Sequence, residues 1–236
     1  MTAPQAPAKA SFFEDFIEIF TSPAQVFQRR MGSNFFMMFA IVAVIAIALI
    51  MLSRGVFQPA MDAEWQRASA RAMAANPQVT AAQMEQARGF MDKFGMVIFA
   101  VSVVIAMLCG GLVLWLVGKM FGAQQSAGDA MMVAMYAWIP RVIGLIAVLV
   151  IAMLMDPAKM NSYFSPSVSL ARFLDPDTTS QKMMTLAGRV DVFVIWQTIL
   201  LGIGLSVTGR IGRTKAFVAA GVVWLIGTAI LAGTAR

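Results

Sequence analysis

Five long apolar runs, separated by shorter polar segments, dominate the pattern along the chain. They cover residues 34–53, 95–118, 131–155, 190–208 and 215–235. A transmembrane helix needs about 17–25 predominantly apolar residues, and none of these runs shows the alternation of a strand. The sequence therefore predicts an all-α integral membrane bundle of five transmembrane helices, which form a single domain over residues 11–236.

The segment ahead of the first run predicts two short helices. Residues 1–10, MTAPQAPAKA, are small and punctuated by proline, so we expect a flexible N-terminus. The following FFEDFIEIF predicts a short amphipathic helix with an acidic polar face, which either lies at the membrane interface or docks on a protein partner. Ser22 and Pro23 suit the N-cap and first residue of a second helix, ended by Arg29 and Arg30. The apolar face of the first helix comprises Phe12, Phe13, Phe16, Ile19 and Phe20.

The two longer loops also contain helix signals. Residues 60–75 predict a helix that ends before Pro77, since proline disfavours a helical residue before it. Thr80 and Gln83 form a capping-box pattern that begins a helix running into the second span. In the loop after the third span, residues 178–188 predict a short helix.

Composition agrees with a membrane protein and narrows the partners. The 236 residues are 59% hydrophobic and 13% charged, about half the charged fraction of a soluble domain. The net charge of +6 favours contact with anionic lipid headgroups. The sequence contains no basic cluster interleaved with aromatic residues, so we expect no nucleic-acid partner.

The chain offers little catalytic or metal-binding chemistry. It has no histidine, and its single cysteine, Cys109, lies inside the second apolar run with no acid or base beside it. An internal disulfide and zinc or copper sites of imidazole or thiolate ligands are therefore excluded. We interpret the 20 methionines as residues that fill gaps between helices. The sequence predicts no catalytic residue, no metal and no cofactor.

The third span contains a proline and an arginine side by side, in MYAWIPRVIG at residues 135–144. Pro140 predicts a kink, and an arginine deep in a span costs about 2.5–3.5 kcal/mol on insertion scales. Two geometries fit. Either the span is one helix with Arg141 buried, or residues 129–138 run obliquely and Arg141 lies near the lipid phosphates.

Several partners for Arg141 remain open. Asp191 begins the fourth span about 21 Å away, estimated from helix rise, too far for a direct pair unless the helix is broken. Gln197 lies closer in depth, and a lipid phosphate or a carbonyl freed by the kink serves equally well. Arg141 is then either a functional ligand or a snorkelling arginine with a structural role.

Small residues in the second and fourth spans predict close helix packing. Their spacing lets neighbouring helices approach in lipid, and we interpret them as packing positions inside one bundle rather than as a dimer interface. These positions are Gly110, Gly111, Gly118, Gly122, Gly202 and Gly204.

Three motifs together resemble the Yip (Ypt/Rab-interacting protein) domain family, and in particular its bacterial branch. They are SPAQVF before the first span, AMYAWIPRVIG in the third, and RVDVFVIWQTILLGIGLSVTGRIGRTKAF across the last two. The resemblance covers residues 16–235 and implies a five-helix membrane domain with a cytosolic N-terminus. In eukaryotic relatives it implies binding to Rab-type GTPases. Only about 33 residues precede the first span here, so we do not expect GTPase binding. The matching residues are Pro23, Phe27, Tyr136, Pro140, Arg141, Asp191, Trp196, Gly202, Gly204 and Lys215.

With five spans the two termini lie on opposite sides of the membrane. The short basic flanks at Arg29-Arg30 and at residues 210–215 favour a cytoplasmic N-terminus, although the opposite side carries more lysine and arginine in total. We therefore expect a multi-pass protein of the bacterial inner membrane, with the C-terminus on the opposite side.

Two functions follow from these observations. The first is a non-enzymatic membrane protein that organises lipids or protein partners, with a membrane-protein partner or a second copy of itself. The alternative is a transporter, channel or lipid-translocating component with an anion or headgroup site at the broken third span. The candidate contact residues are Tyr136, Pro140, Arg141, Asp191, Trp196 and Gln197.

Overall fold

A computed structural model describes residues 11–235, and the predicted flexibility of residues 1–10 falls outside that range. Within it the chain is helical, and no strand is formed apart from an isolated bridge between Ser169 and Asp191. Short 3-10 turns occupy Pro157–Lys159 and Leu170–Phe173. The α-helices are α1 (Phe12–Thr21), α2 (Pro23–Arg30), α3 (Phe36–Ser53), α4 (Gln58–Ala75), α5 (Ala81–Met120), α6 (Ala127–Ala137), α7 (Ile139–Leu154), α8 (Gln181–Arg189), α9 (Val192–Gly209) and α10 (Arg213–Thr234).

The five predicted spans are confirmed as α3, α5, the pair α6–α7, α9 and α10, each long and apolar enough to cross a membrane. Four of them match the predicted limits within about four residues. α5 is longer because the Thr80–Gln83 capping box begins it at Ala81, as the sequence predicts. Its 40 residues extend about 60 Å, twice the hydrocarbon thickness. The first turns of α5 therefore project beyond the bilayer.

The centre of the bundle is α6. Its residues 130–137 are all buried, and it packs against α3, α5 and α9. A helix that is apolar on every side belongs inside a protein rather than at its surface. The outer surfaces of α3, α5 and α10 instead carry exposed large apolar side chains such as Val44, Ile105 and Ile230, which suits contact with lipid.

Because each span crosses the bundle once, the segments that connect the spans lie alternately on its two sides. We call the side of residues 31–35, 121–126 and 210–212 the near side, and the opposite one the far side. On the near side, the backbone N–H of Gln124 donates to the carbonyl of Gly209 at 2.9 Å, and Thr208 donates to Gln125 at 2.5 Å. These bonds join the end of α5 to the turn between α9 and α10.

On the far side, α4 and the 155–191 segment are locked together by one arginine. Arg67 of α4 donates to the carboxylate of Asp177 at 3.0 Å and to the backbone carbonyl of Asn161. Glu64 accepts a hydrogen bond from Ser162 at 2.8 Å. The two loops therefore form one folded layer, and the predicted helix at 178–188 is confirmed as α8, begun by the Ser180 cap.

Candidate functional site

The near side contains a helical hairpin made of α1 and α2. Ser11 and Glu14 form a capping box that begins α1, and Pro23 occupies the first turn of α2 with Ser22 at the N-cap. The two helices pack together, and α2 packs along α9. Ile19, Val26 and Phe27 are fully buried on the inner side of the hairpin, and the Phe20 ring lies 6.0 Å from the ring of Trp196. The hairpin is therefore part of the bundle.

Asp15 is the centre of this arrangement. Its carboxylate is fully buried and accepts hydrogen bonds from Arg29, from Arg30 at 2.5 Å and from the Tyr136 hydroxyl at 2.8 Å. Tyr136 lies in α6, 121 residues further along the chain. Three donors on a buried carboxylate offset the cost of removing its charge from water. Asp15 thus fastens the hairpin to the central helix.

The acidic face of α1 has its partner within the same chain. Arg29 also binds Glu18 at 2.7 Å, and the hydrogen bonds that Arg29 donates to Asp15 and Glu18 raise its pKa. The outward face of α1 carries two large apolar side chains, since Phe13 is 73% and Ile17 54% exposed, beside the exposed Glu14. This mixture of apolar and acidic groups suits a helix at the boundary between lipid and water.

The break predicted at Pro140 is present in the third span. α6 ends at Ala137 and α7 begins at Ile139, with Trp138 between them. Tyr136 is almost completely buried in the bundle, since its hydroxyl reaches Asp15. Pro140 itself is buried in the first turn of α7.

Arg141 follows this break and lies beside a small cavity of about 90 Å³ that Asp191 also lines. The 21 Å separation estimated from the sequence is wrong. That estimate places the end of α7 at the same depth as the start of α9. In the structure, the Phe193 ring of α9 packs against Gly144 of α7, and a Cβ added to Gly144 would lie 2.8 Å from that ring. The last ten residues of α7 therefore extend past the start of α9, which brings Asp191 to the level of Arg141.

Asp191 lies close enough to Arg141 and Arg189 to act on both electrostatically, but it forms no ion pair with either within the described residues. One oxygen of Asp191 caps α9 by accepting from the N–H groups of Phe193 at 2.8 Å and Val194 at 3.1 Å. Arg189 donates to Thr228 of α10 at 3.1 Å. Burial is the main cause that lowers the pKa of Arg189 to about 10; Arg141 adds to this and Asp191 opposes it. The cluster contains two arginines and one aspartate, so its formal charge is positive.

The remaining contacts of Arg141 are aromatic rather than polar. Its guanidinium lies 5.7 Å from the centre of the Trp138 ring, within the range of a cation–π interaction. Arg141 donates no hydrogen bond to any residue that the structure describes. Gln197, one of its predicted partners, makes no hydrogen bond within the described range either, and Trp196 packs on the hairpin instead.

The family model for the Yip1 domain matches residues 17–234 of the chain. The chain belongs to the Yip1 domain family. The matched range begins inside α1, two residues after Asp15, and ends with α10. The second half of α1, all of α2, the Arg141 cluster and all five spans therefore lie within it. No curated protein and no solved structure matches the chain.

Glycines bring the helices of this Yip1 domain close together at several points. A Cβ added to Gly204 would lie 2.3 Å from Val133, and one added to Gly202 would lie 2.8 Å from Phe217. Gly111 and Gly118 are also closely approached, by Met131 and Leu205. Gly110, by contrast, has open space around its Cβ position. Gly122 also has open space, and it adopts a φ of +85° in the turn after α5, where glycine is favoured.

Sequence reasoning does not identify the partners of three residues, which are Asp15 and Arg189 in the polar clusters and Arg67 in the far-side layer. The sequence places Asp15 on an acidic face that lies at the membrane interface or docks on a protein partner. It does not distinguish Arg189, and it places Arg67 in a loop helix without a predicted partner. Arg189 had one usable signal, its position two residues before the Asp191 cap. The other two depend on contacts between segments about 94 to 121 residues apart, which helical periodicity does not reveal.

Proposed function

We propose that this Yip1 domain is a non-enzymatic membrane protein that organises lipids or protein partners within the bilayer. The observation that carries the proposal is the cluster of Arg141, Asp191 and Arg189 beside the break in the third span. Two arginines lie near one carboxylate there without forming an ion pair with it, and that carboxylate already caps α9. An anionic group, such as a lipid phosphate or a carboxylate of a partner helix, complements the excess positive charge.

The outer face of the hairpin supports the same function. Phe13 and Ile17 turn outward from α1 while Asp15 is enclosed. An apolar surface of this kind is available to acyl chains or to an apolar helix of a second protein. We also propose that the near side is cytoplasmic and that the protein resides in the bacterial inner membrane. Reporter fusions at each terminus test this orientation, because only the N-terminal fusion is expected to report from the cytoplasm.

Replacing Arg141 by alanine tests the organising function directly. We expect one lipid or protein that co-purifies with the wild type in mild detergent to be reduced about tenfold or more, since a hydrogen bond to a charged group contributes about 1.5–3 kcal/mol. Mass spectrometry of co-purifying proteins and lipids measures the change. Arg213→Ala, at an exposed near-side position, is the matched control. Identical lipid and protein profiles for all three proteins would contradict the proposal.

Transport or lipid translocation is the second candidate, favoured by the cavity at the α6–α7 break. Interrupted helices at ion or substrate sites are a feature of many transporters. Reconstitution in liposomes separates the two candidates, because a transporter produces flux of ions, small anions or labelled lipids that Arg141→Ala abolishes. Binding to the wild type without any flux supports the organising function.

A further inference from the structure

The far side contains a second, larger cavity, which we call the far-side pocket. Its volume is about 350 Å³, within the size range of ligand-binding pockets. It lies where α7 ends, between the loop that follows, the turn Leu170–Phe173 and α8. No residue of this pocket lines the Arg141 cavity. The two sites are therefore separate.

Two basic side chains, Lys159 and Arg172, line the far-side pocket. Neither forms an ion pair with a carboxylate in the described part of the chain, whereas Arg67 and Arg88 on the same side are both paired. Asp175 is the acidic residue in the lining, and its carboxylate already accepts the backbone N–H of Asp177 at 2.9 Å. The pocket therefore has a positive charge without a partner in the fold.

The pocket also has polar and apolar parts. The hydroxyl groups of Ser162 and Ser165 are already used, since they donate to Glu64 at 2.8 Å and to Asn161 at 2.9 Å. That leaves the two basic side chains as the principal donors for an incoming group. Apolar side chains line the remainder of the wall, among them Met155, Phe164 and Met184.

The far-side pocket lies at the end of a membrane-spanning helix. Met155 caps the membrane-spanning helix α7, and Leu154 just before it is 83% exposed. Phe173, which lines the pocket, is 81% exposed. Exposed apolar and aromatic side chains at the end of a span belong at the interface with lipid. The opening therefore faces a region where headgroups and the first part of acyl chains are present.

We propose that the far-side pocket binds the phosphate-bearing headgroup of an anionic phospholipid from the adjacent leaflet. Lys159 and Arg172 bind the phosphate, and the apolar wall and Phe173 contact the glycerol and upper acyl chains. The chemistry that recognises the ligand is a phosphate ester with a net negative charge, carried by an apolar tail. A free phosphate ion shares only the first of these features.

The test uses the full chain in mild detergent and native mass spectrometry with phosphatidylglycerol or phosphatidylcholine added. We expect the wild type to prefer phosphatidylglycerol, and the double variant Lys159→Gln with Arg172→Gln to bind it about 25-fold more weakly. This factor follows from about fivefold for each basic residue near an anionic lipid. The matched control is Lys93→Gln with Lys182→Gln, two exposed far-side lysines outside the pocket, which should retain the wild-type preference.

Three results would overturn the proposal. They are a wild type without preference between the two lipids, an equal loss in the control variant, and displacement of phosphatidylglycerol by millimolar inorganic phosphate. The last would assign the pocket to a free anion. Since the proposed function rests on Arg141 and the hairpin, failure here leaves it standing, and retained binding in Arg141→Ala shows that the two sites act separately.

Discussion

Replacing Asp15 by asparagine is expected to destabilise the domain by about 3–5 kcal/mol, because removing one member of a buried ion pair leaves the others uncompensated. In the wild type, Arg29, Arg30 and Tyr136 all donate to the Asp15 carboxylate. A neutral amide removes the buried negative charge to which both guanidinium groups donate, and Glu18, which also binds Arg29, is partly exposed to solvent. Equilibrium unfolding in mixed detergent micelles measures the loss of stability.

The control for this prediction is Glu18→Gln. Glu18 also binds Arg29, but its side chain is 39% exposed, and an exposed pair contributes only about 0–1 kcal/mol. A double-mutant cycle of Asp15→Asn and Tyr136→Phe then isolates the bond that joins the hairpin to α6. Equal destabilisation by the Asp15 and Glu18 variants would show that the buried carboxylate does not fasten the hairpin.

The buried position of Asp15 shows where sequence reasoning fails in a membrane protein. On a helical wheel, the carboxylates of α1 form a polar face, and in water that face would be exposed. In a bilayer the preference reverses for groups that find polar partners, since lipid offers no hydrogen bonds. The Thr80–Gln83 capping box is predicted correctly because it is local, within three residues. The Ser11–Glu14 box, found in the structure, has the same short spacing. The partners of Asp15, by contrast, lie on other helices, with Arg29 and Arg30 on α2 and Tyr136 on α6.

The difference between local signals and contacts between distant helices also explains what the sequence predicts about Arg141. Its neighbour Pro140 indicates a break from local sterics alone, and the structure confirms it. The distance from Arg141 to Asp191 depends on the offset between α7 and α9 along the membrane normal. That offset is set by the packing of Phe193 on Gly144. Counting residues along a helix gives depth only when the helix ends are level. The five spans need no such information, because each is specified by its own length and apolar content.

Replacing Gly204 by valine is expected to destabilise the bundle by about 1–3 kcal/mol or more, the cost of forcing extra atoms into a packed core. An added Cβ would lie 2.3 Å from Cγ1 and 2.9 Å from Cγ2 of Val133. Val133 is fully buried in α6, and a β-branched side chain in a helix has one strongly preferred rotamer. It has no room to rotate away, so α6 and α9 must separate.

That separation reaches the polar cluster, since Val133 lies about one turn before Tyr136 on α6. The variant should therefore also loosen the hairpin, which increased proteolysis between α1 and α3 would reveal. Gly110→Ala is the control, because its Cβ position has no atom within 4 Å, and we expect its unfolding midpoint in detergent to change little. Combining Gly204→Ala with Val133→Ala removes the clashing methyl groups and should restore most of the stability lost in Gly204→Ala alone. If Gly204→Ala and Gly110→Ala have equal midpoints, the contact between α6 and α9 does not hold the centre of the bundle together.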